Sequence, residues 1–131
     1  MNKFFIFLFF LILSLQSFYQ SNVFAEEKIK IGLLVPISGE NKELGEQIVK
    51  STRIALKDIN SSKFEIYLKD TNSNPNKTLK SAVEFKEMGI RIVIGPIFYK
   101  SLTYLDEIEG ITFLSLTNKT LGLPKNVLSA G

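Results

Sequence analysis

Hydroxyl, amide and ammonium side chains follow several apolar segments of this 131-residue chain. Together with nearby backbone N–H groups, they could hold a carboxylate or another small anion through hydrogen bonds. The candidate binding residues are Ser38, Gly39, Tyr99, Lys100, Ser101, Ser115, Thr117 and Asn118. Taken singly, each of them could equally serve only to cap a helix or shape a turn. The functional interpretation therefore depends on whether the fold brings several of them to one place.

Catalytic chemistry has little support in the composition. The chain has no Cys and no His, which excludes thiol nucleophiles, Cys-ligated zinc, iron–sulfur clusters, Ser-His-Asp catalysis and His-ligated metals. The acidic residues fit solvated helix faces, and no two acids are placed for general acid–base work. The segment after Ser38 matches neither the dinucleotide-binding fingerprint nor the P-loop. We expect a binding protein with no cofactor and no metal, and not an enzyme.

Apolar runs closed by turn residues predict four strands, the first of them buried on both faces. These runs are Lys28 to Ser38, Phe64 to Leu68, Arg91 to Ile97 and Ile111 to Leu116. Residues 117 to 131 contain turn residues and no clear period, so we predict no further strand there.

Three helices are predicted between these strands. The first, from Glu40 to Asn60, has an apolar stripe at helical spacing that would pack on the sheet. The members of this stripe are Leu44, Ile48, Ala55 and Ile59, with Val49 and Leu56 alongside. The second begins with Asn74 as cap and Pro75 at the first helical position, and ends at Gly89. The third is a short helix capped by Ser101, with Gly110 just past it.

The resulting order, β-α-β-α-β-α-β, predicts an α/β fold: a doubly wound, Rossmann-like parallel sheet with helices on both faces. In such sheets ligands bind outside the carboxyl ends of the strands. Helix N-termini also point to that edge, where they favour an anion. The candidate residues follow the strand ends, so we expect them to converge there.

The first 25 residues are typical of a secretory signal peptide. Lys3 is followed by an uncharged apolar run from Phe4 to Leu15, and small residues at Val23 and Ala25 suit cleavage after Ala25. The run would span only about 18 Å as a helix, short of the ~30 Å hydrocarbon core of a membrane. We expect a periplasmic or secreted protein, with residues 26–131 as its domain. The rest of the chain alternates its charges without a basic block, so we expect no nucleic-acid partner.

The order of the motifs resembles the N-terminal lobe of type 1 periplasmic ligand-binding proteins of the leucine/isoleucine/valine-binding group. The carrying segments are IKIGLLVPISGENKELGEQIVKSTRIALKDIN, KDTNSNPNKTLKSAVEF, RIVIGPIFYKS and ITFLSLTN. The second is similar to the group's D-T-x-x-x-P signature through Asp70, Thr71 and Pro75. The nearest branch is that of the penicillin-binding-protein activators, whose third strand also ends in Gly-Pro.

The resemblance implies a solute-binding protein that presents a small ligand, such as an amino acid, to the membrane subunits of an ABC transporter. It places the ligand's carboxylate at Ser101, in the loop after the third strand, and its amino group near Thr117, after the fourth. The alternative is a periplasmic activator-like module that contacts a cell-wall synthase. The resemblance also implies an incomplete lobe without its fifth strand, and a fragment that would not bind ligand competently alone.

Overall fold

A computed structural model describes Lys3 and residues 27–59 and 62–130 of the chain. The strands are β1 (Ile29–Val35), β2 (Phe64–Asp70), β3 (Ile92–Ile94), β4 (Thr112–Ser115) and β5 (Val127–Ser129). The helices are α1 (Lys42–Asp58) and α2 (Pro75–Glu87), and two 3-10 turns lie at Tyr99–Leu102 and Leu105–Glu107. The predicted signal peptide, apart from Lys3, and its cleavage site lie outside the described residues.

The five strands form one parallel sheet in the order β2-β1-β3-β4-β5. The predicted α/β class and parallel sheet are confirmed, and helices separate β1 from β2 and β2 from β3 as predicted. Strand order reverses next to β1, because β2 lies on one side of it and β3 on the other. The carboxyl ends of all five strands therefore meet at one edge of the sheet.

Two predictions at the C-terminal end are wrong. A fifth strand is present: β5 pairs with β4, where the Phe113 amide donates to the Asn126 carbonyl and the Ala130 amide to the Ser115 carbonyl, both at 2.8 Å. Three residues are too few to produce a readable period. The predicted third helix is instead two 3-10 turns, because Tyr104 between them has a left-handed backbone with φ of 67°.

The main core lies on the α2 face of the sheet. Phe85 of α2 and Phe113 of β4 are fully buried there beside Val93 of β3. Gly32 of β1 makes room for this packing, since a Cβ at that position would lie 2.7 Å from the Phe85 ring. The predicted Asn74 cap is confirmed: its side chain accepts a hydrogen bond from the Lys77 amide, which fixes the start of α2.

Helix α1 packs on the opposite face with a different stripe from the predicted one. Leu44, Ala55 and Ile59 are exposed, and Gly45 is the buried residue of the helix. A Cβ at Gly45 would lie 1.7 Å from the Pro36 carbonyl oxygen, so helix and strand end approach closely here. This contact turns the helix so that Ile48, Val49, Thr52 and Leu56 are the half-buried positions.

Helices lie on both faces of the sheet as predicted, but α1 covers only part of its face. Ile92 of β3 pairs in register with Ile31 of β1, and Leu128 of β5 pairs with Leu114 of β4. Ile92 is 41% exposed and Leu128 is 55% exposed, so α1 leaves the β3–β5 half of this face open. Among the described residues, no helix is long and apolar enough to cross a membrane.

Candidate binding site at the strand ends

We use the name strand-end edge for the loops that follow the carboxyl ends of the strands: residues 36–41, 71–74, 95–101 and 116–119. The candidate residues Ser38 and Gly39 lie in the first loop, and Tyr99, Lys100 and Ser101 in the third. Thr117 and Asn118 lie in the fourth loop, and Ser115 is the last residue of β4. The fold thus brings all eight to the same edge, as the sequence predicts, in two separate groups.

Asp70 organises the β1–β2 side of the edge. Its carboxylate accepts hydrogen bonds from the Ile37 amide (2.9 Å), the Ser38 hydroxyl (2.5 Å), the Asn72 amide (2.9 Å) and the Lys77 ammonium (2.5 Å). Burial alone would raise the pKa of Asp70, but these donors favour the charged form and hold the pKa well below its usual range. The Ser38 hydroxyl is therefore used in a hydrogen bond that connects the loop after β1 to β2.

Gly39 lies against the same turn. Its φ is +77°, and a Cβ there would lie 2.0 Å from the Asn72 side-chain oxygen. Beside it the Asn41 side chain donates to the Ser73 hydroxyl at 3.0 Å. Gly39 thus allows the loops after β1 and β2 to interlock, so any ligand contact it makes must come through its backbone.

The hydroxyls of the β4 loop also serve the chain itself. Ser115 is fully buried, donates to the Pro96 carbonyl at 2.9 Å and accepts from the Thr117 amide at 3.3 Å. Thr117 is buried too, and its hydroxyl accepts from the Lys119 amide at 3.4 Å. These bonds join the loops after β3 and β4 into one unit.

Ser101 lies beneath the surface of the edge. It is 1% exposed, inside the first 3-10 turn, and its hydroxyl has no hydrogen-bond partner. An unpartnered buried hydroxyl costs about 1–3 kcal/mol. Ser101 is thus a buried candidate hydroxyl that is still available, but the turn must shift before a ligand can contact it.

The exposed part of the edge is aromatic and cationic. Tyr99, Lys100 and Asn118 are exposed, and the Lys119 ammonium lies 3.4 Å from the centre of the Tyr99 ring, a cation–π contact. Sequence reasoning missed Lys119, which stands two positions after Thr117 in the same loop. Its partner lies twenty residues away, so sequence spacing gave no signal.

A groove of about 380 Å³ runs beside Tyr99. Tyr104 and Gly122 also line it, and Leu121 precedes Gly122. We use the name tyrosine patch for Tyr99, Tyr104 and Leu121, which are 44%, 53% and 79% exposed. Two exposed tyrosines that line one groove, with an exposed leucine adjoining it in the chain, are typical of a contact surface. Within the described part of the chain, no group of three His, Cys, Asp or Glu side chains is placed to bind a metal ion.

Known structures share this fold. The leucine-binding protein LivK of Thermotoga maritima matches 76% of this chain with 19% identity and a TM-score of 0.66. The branched-chain amino acid binding protein LivJ of Streptococcus pneumoniae, solved with isoleucine, matches 78% with 19% identity and a TM-score of 0.67. The C-domain of LpoA from Haemophilus influenzae, described as a regulator of PBP1A, matches 70% with 28% identity and a TM-score of 0.58. No protein-family model and no curated protein sequence matches the chain.

The chain has the fold of a type 1 periplasmic binding protein lobe. The lobe spans 31% of LivK, 33% of LivJ and 28% of the LpoA C-domain. These neighbours are binding proteins and a regulator, not enzymes. Both branches named by the sequence resemblance are represented among them.

Proposed function

We propose that this lobe belongs to an extracytoplasmic protein of the activator type, which contacts a cell-wall synthase through the strand-end edge and the tyrosine patch. The observation that carries the proposal is the contrast at the edge between hydroxyls bonded within the chain and side chains exposed to solvent. The Ser38, Ser115 and Thr117 hydroxyls form hydrogen bonds inside the chain, whereas Tyr99 and its neighbours face outward. These three hydroxyls are therefore engaged within the chain, and exposed side chains such as Tyr99, Lys100 and Asn118 are the ones that a partner can contact.

The chemistry of this surface suits a protein partner. Tyrosine buries a large area for the loss of few rotatable bonds, and its hydroxyl can still form a hydrogen bond at an interface. The Lys119 ammonium over the Tyr99 ring adds a positive charge to this surface. The apolar N-terminal segment of residues 4–15, with the export of related lobes, supports a location outside the cytoplasm.

A second function, solute binding for an ABC transporter, is favoured by Ser101. Its buried hydroxyl lacks a partner and lies in the loop where the family resemblance places a ligand carboxylate. The likeness to LivJ with bound isoleucine supports the same interpretation. In this case the 3-10 turn at Tyr99–Leu102 must move to present the hydroxyl, and an amino acid or a similar small anion would be the ligand.

Binding measurements on the full chain separate the two functions. We expect a purified class A cell-wall synthase to bind the immobilised chain, and Tyr99→Ala or Lys119→Ala to weaken binding about tenfold, a loss of about 1.4 kcal/mol. Lys86→Ala, an exposed lysine on α2, is the matched control and should leave affinity unchanged. Calorimetric titration of the same chain with single amino acids should give no heat of binding.

The opposite pattern would overturn the proposal. If leucine, isoleucine or valine binds with a Kd below about 100 μM, and Ser101→Ala or Thr117→Ala abolishes that binding, the chain is a solute-binding lobe. Synthase binding that Tyr99→Ala and Lys86→Ala weaken equally would exclude the strand-end edge as the contact.

A further inference from the structure

A second concave surface lies between α1 and the edge strand β2. It encloses about 590 Å³. We use the name α1 groove for it. Its apolar side chains are Ile37, Val49, Ile54 and Leu68, and its charged ones are Lys42, Glu46, Lys50, Arg53 and Lys57. Ile37 is shared with the strand-end edge, but none of these residues belongs to the tyrosine patch. The charged ones all lie on α1, outside both surfaces, so an occupant held by them does not depend on the proposed function.

The apolar part of the groove is open to solvent. Ile54 is 52% exposed, although it lies within a helix that packs on the sheet. Its side chain lies on the side of the helix that faces the groove. Leu68 of β2 lines the same groove and is also exposed. Covering these side chains would remove apolar surface from water, which favours association.

The charge of the α1 groove is strongly one-sided. Lys42 forms an ion pair with Glu46, with 3.4 Å between the charged atoms. Within residues 27–59 and 62–130, the structure records no ion pair for Lys50, Arg53 or Lys57. The groove therefore offers three positive charges that no acidic side chain of the described residues pairs with, beside an apolar floor. An occupant that complements it must carry both acidic and apolar groups.

The shape of the groove indicates a peptide. From Lys42 to Lys57 the helix extends about 22 Å, a length that about seven residues of extended chain would cover. A flat bilayer surface would meet the protruding lysines before it reached a recessed floor. We propose that the α1 groove binds a peptide segment of a partner protein in which acidic side chains alternate with apolar ones.

The exposed groove on α2 provides an internal comparison. It is lined by Leu79 and Val83, with Lys80 facing Glu84 and Glu87. It has two apolar side chains where the α1 groove has four, and it carries two acidic side chains for one basic one. Glu84 also pairs with Lys69. An acidic peptide should therefore avoid this groove, which makes α2 the site for matched control variants.

The test uses a fluorescein-labelled peptide of alternating Glu and Leu, about seven residues long, and fluorescence anisotropy with the full chain. We expect saturable binding that Arg53→Glu weakens about tenfold and that raising the salt from about 0.05 to about 0.5 M also weakens. Ile54→Ser should weaken it, whereas Lys80→Glu and Val83→Ser should leave it unchanged. A peptide with Gln in place of Glu should bind weakly.

Three results would overturn the proposal. These are the absence of peptide binding to the parent chain, an equal loss for the α1 and α2 variants, and binding to phosphatidylglycerol vesicles in preference to the peptide. Circular dichroism of each variant guards against misfolding. If Ile54→Ser does not fold, the surface variant Arg53→Glu still decides the question. None of these variants alters Tyr99 or Lys119, so failure here is distinct from failure of synthase binding.

Discussion

Replacing Asp70 with Asn should loosen the β1–β2 side of the strand-end edge. The substitution keeps the size of the side chain but removes its charge and one of its two acceptor oxygens. In the parent chain the Ile37 and Asn72 amides both donate to Oδ1, and the amide oxygen of Asn could still accept from both. The Ser38 hydroxyl and the Lys77 ammonium both donate to Oδ2 in the parent chain, and both would face the new NH₂ group. Lys77 cannot accept a hydrogen bond, so its interaction is lost.

The size of the effect follows from these two bonds. A hydrogen bond to a charged group is worth about 1.5–3 kcal/mol when it is shielded from water. The Lys77 side chain is 45% exposed, and that of Asp70 is 19% exposed, so the ion pair is worth at most about 1 kcal/mol. Ser38 can turn its hydroxyl to accept from the new amide and recover part of its bond. We expect Asp70→Asn to lower the free energy of unfolding by about 2 kcal/mol at neutral pH.

The loss should depend on pH in a defined direction. The native pKa of Asp70 lies below its unfolded value of about 3.9. The stabilisation is therefore complete above the unfolded pKa and is lost as the pH falls towards the native pKa. The difference between the parent and Asp70→Asn should stay constant above about pH 5 and shrink below about pH 4.

Urea unfolding followed by circular dichroism at several pH values measures this difference. Glu43→Gln, at an exposed position in the first turn of α1, is the control and should cost no more than about 0.5 kcal/mol. A difference between the parent and Asp70→Asn that is negligible at neutral pH would refute the role assigned to the carboxylate. A difference as large at pH 3 as at pH 7 would refute the assignment of its charged state.

Further predictions concern single contacts, each measured by urea unfolding. Gly45→Ala should lower the free energy of unfolding by about 2 kcal/mol or more although Ala has the better helix propensity, because the methyl group would collide with a backbone carbonyl. Ser51→Ala on the exposed side of the same helix is the control. A Gly45→Ala variant that is more stable than the parent would contradict the close approach. Asn74→Ala should cost about 1 kcal/mol by removing the cap of α2, and an unchanged stability would exclude that cap. Ser115→Ala should cost about 1–3 kcal/mol, whereas Ser101→Ala should be neutral or stabilising, since only the former hydroxyl has partners; equal losses would contradict the assignment.

Much of the fold could be predicted because its signals are local. The β1 and β2 runs and the Asn74–Pro75 start of α2 are legible from neighbouring residues alone. By contrast, β5 is three residues long and depends on pairing with β4. The stripe of α1 was misassigned because a tertiary contact at Gly45 sets the rotation of the helix, and apolar spacing does not report that contact.

The candidate site was also predictable only in part: its position could be predicted from the sequence, but the contacts of its side chains could not. The sequence placed all eight residues at one edge, because strand ends follow from strand order. It could not tell that the Ser115 and Ser38 hydroxyls bond to Pro96 and Asp70, since these partners come from distant parts of the sequence, the loop after β3 and the end of β2. The contact between Lys119 and Tyr99 was missed for the same reason. Which side chains face outward is a tertiary property, and it is the property on which the proposed function rests.

Photo-crosslinking from position 99 tests the central claim most directly. A benzoylphenylalanine residue in place of Tyr99 keeps an aromatic ring at the strand-end edge, and the same residue in place of Val83 on α2 is the control. With a purified class A cell-wall synthase, we predict a crosslinked product from position 99 and none from position 83. No product from position 99, or equal yields from both positions, would contradict the claim that this edge is the contact surface.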